Sequence, residues 1–490
     1  MKKLYLMLLV MIACVYSQTA EAAPNIQKVT TPAGLQLWLV SSPRVPVIAL
    51  SFSFKGGMIY DPPGKEGLAY MATALLDQGA GELDTESFNR RLTENSISMG
   101  FSAGRDWISG SVYGLKSHQD MAFPLLRSAL TAPMFAPSSV ERVRGQIQAQ
   151  IANNLSQPSW IAARVFNEKN FIGHPYSQPG QGTPESIKNI TVDDLRQFAK
   201  TRLVKKHLLI TVAGDTTPEE IAPIVDNIFA GLPEGEDSPP VADISPQAAG
   251  KLFVVNLPLP QSFVQFAQDG ISPQSPDYHA ALIINHVLGG GGFDSRLMDN
   301  IREKNGLTYG VSTGLTNMEH ASLLGGAYSS DNQKVLEALK KLKEEWALMA
   351  EKGITPEELQ HAQQFLKGSF ALEMTSTREI SGLLLALRQL GRDPDYINQR
   401  NGLIDKVTVA DIKNLAKKWL DPKHVGVVLV GNPPAIEGAE SVPVPFAEML
   451  KKAAEVAKEE PKPIAPVVVN PPPPAAEKPA ASPQPAQSLD

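Results

Sequence analysis

ITVDDLRQFAKTRLVKKHLLITVAG, residues 190 to 214, is written a second time as VTVADIKNLAKKWLDPKHVGVVLVG, residues 407 to 431. The offset is constant at 217 (407 − 190), nine of the twenty-five positions are identical, and most of the others exchange like for like. Each copy opens on a threonine suited to a helix N-cap, runs through an amphipathic helix to a Lys-His turn, and closes a β-branched strand with glycine. Two halves built on one plan follow.

Outward from the repeat, VIALSFSFKGG (47–57), FSAGRDWISGSVYGL (101–115) and LTYGVSTGL (307–315) alternate apolar and polar residues, which predicts strands with one face buried. The segments between them have helical spacing. Each half is therefore expected to be an α+β layer, an antiparallel sheet backed by helices, with the first half at 23–245 and the second at 250–435. PEGEDSPPVADISPQAAG (233–250), rich in proline, glycine and acid, joins them as a linker.

With 490 residues the chain is too long for one ordinary core, and 43% hydrophobic residues can fill two. A net charge of −6 argues against a polyanionic partner such as nucleic acid. Residues 1–22 carry Lys2 and Lys3, an apolar run from Leu4 to Tyr16, and Ala20-Glu21-Ala22, the order of a secretory signal cleaved after Ala22. Export to the periplasm is the expectation. Cys14, the only cysteine, would leave with the signal; the alternative is that it carries a lipid anchor, although Met11-Ile12-Ala13 is a poor lipobox. No later run of eighteen apolar residues is present, and the Pro/Ala-rich tail at 455–490 is expected to be a disordered spacer.

Three segments carry a family resemblance: KGGMIYDPPGKEGLAYMATALLDQGA (55–80), IGHPYSQPGQGTPESIKNITVDDLRQFA (172–199) and VLGGGGFDSRLMDNIREKNGLTYGV (287–311). Over roughly residues 29 to 432 the chain resembles the pitrilysin/insulinase-type zinc peptidases, in particular the two-half bacterial and mitochondrial-processing type. The resemblance implies two homologous halves forming half of a clamshell chamber. It also implies a helix at GLAYMATALLDQGA (67–80) holding His-x-x-Glu-His, two zinc-binding histidines and a glutamate that activates water.

Laid onto this chain, those positions are Tyr70, Thr73 and Ala74, and the remaining glutamate ligand, on the helix of ERVRGQIQAQIANN (141–154), falls on Gln150. Threonine cannot act as the carboxylate base, alanine has no donor atom, and a phenol and an amide are weak zinc ligands. Nothing else restores the set. The eight histidines include no pair four apart, and His279 and His286, seven apart on a predicted helix, stand about 10 Å apart along its axis. The chain is expected to bind no catalytic zinc of its own.

By the same resemblance, the second half supplies an arginine and a tyrosine. Arg296, at the start of a helix, and Tyr309, in the strand that follows, match that pair; the tyrosine would donate to a scissile-carbonyl oxyanion and the arginine would fix a substrate carbonyl or carboxylate. From the residues alone, Arg296 reads more readily as a helix cap or salt bridge and Tyr309 as a half-buried strand aromatic. Gly289 to Gly292 lack the Gly-Lys-Ser/Thr of a phosphate loop and read as a hinge or helix-to-helix turn. Phe101, Ser102, Ala103 and Gly104 are expected to form a sheet edge to which an extended peptide adds.

The expectation is a catalytically incomplete subunit that pairs with a zinc-bearing homologue, the zinc residing in the partner, and lends it Arg296 and Tyr309. A non-catalytic peptide-binding or scaffold protein of the same fold is the alternative. An independent zinc peptidase is the third reading, which metal analysis decides.

Overall fold

The structure, a computed structural model, describes residues 25–446. The expected signal, Cys14 and the Pro/Ala-rich tail lie outside the described residues. Among the described residues no helix is long and apolar enough to cross a membrane.

The repeat becomes two sheets of one topology. In the first half, β1 (Gln27–Thr30), β2 (Gln36–Ser41), β3 (Val47–Lys55), β4 (Ser98–Ala103), β5 (Trp107–Leu115) and β6 (Leu209–Gly214) stand in the order β1-β2-β6-β3-β5-β4. In the second, β7 (Leu252–Asn256), β8 (Gln261–Asp269), β9 (Val311–Asn317), β10 (Ser322–Asp331), β11 (Gly426–Gly431) and β12 (Glu440–Ser441) stand as β12-β7-β11-β8-β10-β9. The repeated strands β6 and β11 hold equivalent places, with Leu50 opposite Val212 in one sheet and Val264 opposite Leu429 in the other. Each is preceded by a helix with a reciprocal cap, Thr191 with Asp194 and Thr408 with Asp411.

Two features depart from the expected plain antiparallel sheet. Both sheets are mixed, because β6 pairs parallel with β2 and β11 parallel with β7 after long crossovers through helices. And β3 is buried on both faces rather than one. The reason is an exchange between halves: the Thr377–Gln389 helix of the second half packs across β3 and β6 of the first, while the Pro158–Asn170 helix of the first packs across β8 and β11 of the second.

Each exchanged helix is seated differently. Under Thr377–Gln389 the sheet presents small polar side chains, and Ser381 donates to Ser51 (2.9 Å) while Thr211 donates to the Ser381 carbonyl (2.9 Å). Arg388 closes the seat by donating to the carbonyls of Ile210 (2.6 Å) and Gln36 (3.1 Å), its guanidinium drawn down to about 10 by burial yet still charged at neutral pH. Beneath Pro158–Asn170 the contact is apolar: Ile161, Ala162, Val165 and Phe166 meet Phe253, Val255, Val428 and Val430. Burial of such side chains contributes about 1.5–3 kcal/mol each.

A polar knot fastens the halves at a third point. Tyr176 donates to Asp106 (2.6 Å) and accepts from the His320 backbone (3.0 Å), and the Glu319 backbone donates to Asp106 (3.0 Å). Lys55 and Glu319 form an ion pair beside it. The 233–250 linker is not slack: Ala242 accepts from His174 and Ile244 donates to the His320 carbonyl.

The glycine closing each repeat has a steric cause. At Gly214, φ is +129° and a Cβ would stand 2.1 Å from the Val47 carbonyl; at Gly431 it would stand 2.3 Å from Ser262 Oγ. Gly214→Ala should therefore lower stability by about 2–4 kcal/mol, read from denaturant unfolding, and a loss below about 0.5 kcal/mol would contradict the clash. A second prediction concerns acid. His279, buried against the Tyr396 hydroxyl (3.1 Å), is driven to about 4 by burial and by Arg392 and Arg400. The unfolded imidazole takes its proton near 6.5, so stability present above that pH is lost as pH falls towards about 4. His279→Gln should flatten that decline in unfolding midpoints measured from neutral pH to about pH 4.5.

Candidate functional site: a neutral pocket in place of a metal centre

The helix expected to run from Gly67 towards Gly79 is short, Leu68–Thr73. It starts where Asp61 accepts from the backbone of Gly67 (2.8 Å) and Ala69 (3.0 Å); burial pushes this carboxyl up to about 7, against the pull of those donors and of Arg202. Gly67 adopts φ +92°, and a Cβ there would come within 2.8 Å of the Gln181 carbonyl. Thr73 ends the helix early by turning its hydroxyl back onto the carbonyls of Ala69 (2.9 Å) and Tyr70 (3.0 Å). Tighter turns, Leu75 to Ala72 and Leu76 to Thr73, follow.

Tyr70 and Gln150 meet. The Tyr70 hydroxyl donates to Gln150 Oε1 (3.1 Å) and receives a long bond from Gln181 Nε2 (3.5 Å). Gln181 Oε1 in turn accepts from Asn154 (3.3 Å) and from the Trp160 indole (3.4 Å). Gln150 reaches this place because Val143, Ile147 and Ile151 bury the opposite face of the Pro137–Asn154 helix. Thr73 is buried with its hydroxyl committed to the helix, and Ala74 is exposed.

Sequence analysis did not single out Gln181, Asn154 and Trp160; the only signal for them is the QPGQG run at 178–182, whose proline and glycines mark a turn. Every group in the network is a neutral donor or acceptor. A zinc centre needs imidazole, thiolate or carboxylate ligands at about 2.0–2.3 Å. Among the described residues no three His, Cys, Asp or Glu gather into a group that could hold a metal ion. These residues do not fit zinc.

In the second half, Arg296 stands at the start of its helix, but its fork is occupied. Nε and Nη2 each lie 2.7 Å from a Glu358 oxygen, and Nη2 also donates to the Gly353 carbonyl (3.0 Å). Glu358 belongs to the capping box of the Pro356–Leu372 helix and accepts from the Thr355 backbone (2.8 Å). Burial alone would raise this carboxyl, and Arg296 and Thr355 together hold it below the usual glutamate range. Arg296 thus braces one helix against the next, with Nη1 buried and unpartnered.

Tyr309 is neither in the strand nor half-buried. It sits in the loop before β9 and is 84% exposed. The loop is shaped by Thr308, whose hydroxyl donates to the Gly310 (2.9 Å) and Ser329 (2.7 Å) carbonyls, and by Gly306 at φ +57°. Gly289 and Gly290 close a widened helical turn, Gly291 turns the chain by donating to the carbonyl of His286 (2.8 Å), and Gly292 opens the next short helix; Cβ atoms at Gly289 or Gly290 would strike Thr313 or Asn285.

Of the expected sheet edge, Phe101, Ser102 and Ala103 lie in β4, which ends the sheet and pairs with β5 alone; Gly104 lies just past the strand. Phe101 is half-buried against Phe52, and Ser102 is exposed. The unpaired backbone of β4 is therefore available on one side.

Because the network is neutral, the purified chain should carry far less than one zinc per molecule by elemental analysis after brief dialysis, and stoichiometric zinc would overturn this account of the site.

Residues 189–366 match the Peptidase M16 inactive domain. The chain is 27% identical over 394 residues to a Helicobacter pylori protein named non-peptidase homolog YmxG, covering 79% of this chain and 90% of that one. It is 23% identical over 389 residues to a probable mitochondrial-processing peptidase subunit beta of Schizosaccharomyces pombe, covering 76% and 82%. A crystal structure of a peptidase M16 inactive domain from Pseudomonas fluorescens superposes with a TM-score of 0.79 at 26% identity, over 85% of this chain and all of that one. With its two matching halves and neutral side chains at the positions of the expected metal ligands, the chain is similar to M16 peptidase relatives over most of its length and matches the inactive domain of that family over residues 189–366.

Proposed function

We propose that the chain is the catalytically incomplete subunit of an exported metallopeptidase, pairing with a zinc-bearing homologue and presenting Tyr309 to peptides held at the partner's metal. The observation that supports this reading is the contrast between the sites. The metal positions are neutral and internally hydrogen-bonded, whereas Tyr309 is exposed on a shaped loop and makes no hydrogen bond within the described residues. A tyrosine that does nothing for the fold is free to act elsewhere.

In this role the Tyr309 hydroxyl donates to the oxyanion that forms at the scissile carbonyl, a contribution that grows as charge develops. Arg296 anchors the helix leading into that loop, and its ion pair with Glu358 must loosen before the fork can grip substrate. The edge of β4 receives extended peptide by backbone pairing. Export rests on residues 1–22, and the periplasm is the compartment this reading requires.

The occupied fork of Arg296 favours a second reading, a peptide-binding or scaffold protein of the same fold that cleaves nothing. The two separate on the identity of the co-purifying protein: a subunit captures a homologue carrying His-x-x-Glu-His, and a scaffold does not. For the reconstituted pair, Tyr309→Phe should lower kcat by roughly tenfold to a hundredfold with little change in KM, as loss of one transition-state donor does. Unchanged turnover would remove Tyr309 from the mechanism.

A further inference from the structure

We propose that the cleft walled by Trp160, Arg164 and the turn at residues 177–182 is a carboxylate-binding subsite for peptides, taking an acidic side chain or a C-terminal carboxylate. The cleft has a volume of about 290 Å³. The Arg164 guanidinium lies over two aromatic rings, 4.5 Å from the centre of Phe446 and 5.8 Å from that of Trp160. It has no hydrogen-bond or ion-pair partner among the described residues, and Glu66 and Glu168 act on it only from beyond ion-pair reach.

That isolation is unusual within this fold. Arg105, Arg388 and Arg400 are desolvated to a similar degree, and each directs a donor at a backbone carbonyl, of Tyr176, Ile210 and Leu366 respectively. Arg164 lies over aromatic faces as those three do, over Tyr176, Trp38 and Phe370 respectively, but spends no donor on a carbonyl, which leaves its planar fork for a carboxylate arriving in the plane of the guanidinium. Gln178, which also lines the cleft, has a buried side-chain oxygen with no donor. An anionic acceptor next to an N–H group would satisfy both, and a peptide residue bearing a carboxylate offers that combination. Glu66 and Glu168 weigh more heavily against a multiply charged anion such as phosphate than against a single carboxylate.

The cleft also lies where a bound peptide would reach it. Gln181, which lines it, belongs to the Tyr70 network, and Met58, which also lines it, donates its backbone N–H to the carbonyl of Gly104 (2.9 Å) just beyond β4. The cleft and the end of β4 are thus linked through Met58. The proposal rests on peptide handling by this chain but on neither Tyr309 nor a partner.

The test is binding of labelled pentapeptides to the purified mature chain alone, by fluorescence polarisation. One pair, Ala-Ala-Glu-Ala-Ala amide and its glutamine counterpart, reports a side-chain carboxylate; a second pair, penta-alanine as free acid and as amide, reports the terminal one. One acid form should bind at least about tenfold tighter than its neutral mate, identifying the source. Arg164→Gln should erase the preference and Arg164→Lys should keep part of it. In the unmodified protein the Trp160 indole N–H resonance, identified with Trp160→Phe, should shift on adding the preferred acid peptide and not its neutral mate, which serves if the Arg164 variants fold poorly. Equal affinities for all four peptides, a preference that survives Arg164→Gln, or an unmoved Trp160 resonance would each overturn the proposal. None of these outcomes bears on the turnover of the reconstituted pair, so the two ideas fail separately.

Discussion

The fold depends on the exchange of one helix in each direction. A sheet whose strands are apolar on one face and mixed on the other is incomplete until something covers the second face, and in each half that cover comes from the opposite half. Thr377–Gln389 covers the first sheet and Pro158–Asn170 covers the second. The two seats use different chemistry. Close approach at Ser51, Thr211 and Ser381 lets short side chains satisfy one another in place of large apolar contact, whereas the other seat is filled by Phe166, Val165 and their neighbours. The knot at Asp106 and Tyr176 then sets the hairpin of β9 and β10 against the first half.

Much of this was legible in the chain. The repeat at offset 217 predicted two halves of one topology, and the register holds to the residue: the capping threonines, the helices and the strands β6 and β11 all keep that spacing. What escaped was every feature made by residues distant in sequence. The serines of β3 looked like the solvent face of a half-buried strand, because nothing near residue 51 reveals that residue 381 will lie upon it. Parallel pairing of β2 with β6 escaped for a related reason, since alternation reports which side chains share a face but not the direction of the neighbouring strand.

The candidate site was read unevenly for the same physical causes. The family resemblance, with helical register to place the second residue, chose Tyr70 and Gln150, which the structure joins by a hydrogen bond. Gln181 and Trp160 lie on segments whose patterns concern turns and core packing, so no local rule marks them. For Arg296 the missing knowledge was Glu358, a partner sixty-two residues away that serves first as a helix cap. Tyr309 left its expected strand because Gly306, Gly310 and the Thr308 hydroxyl favour a turn over continued pairing.

The crossed helices also dictate when the molecule can be finished. A ribosome or a translocation pore delivers residues 27 to 214 long before residue 377, so the first sheet must wait with Trp38, Val40 and Ala213 uncovered until nearly the whole polypeptide has emerged. Folding in the order of synthesis is therefore closed to this architecture. Neither half is a self-sufficient module that could be cut out or transplanted intact, and the duplicated plan persists as one inseparable body.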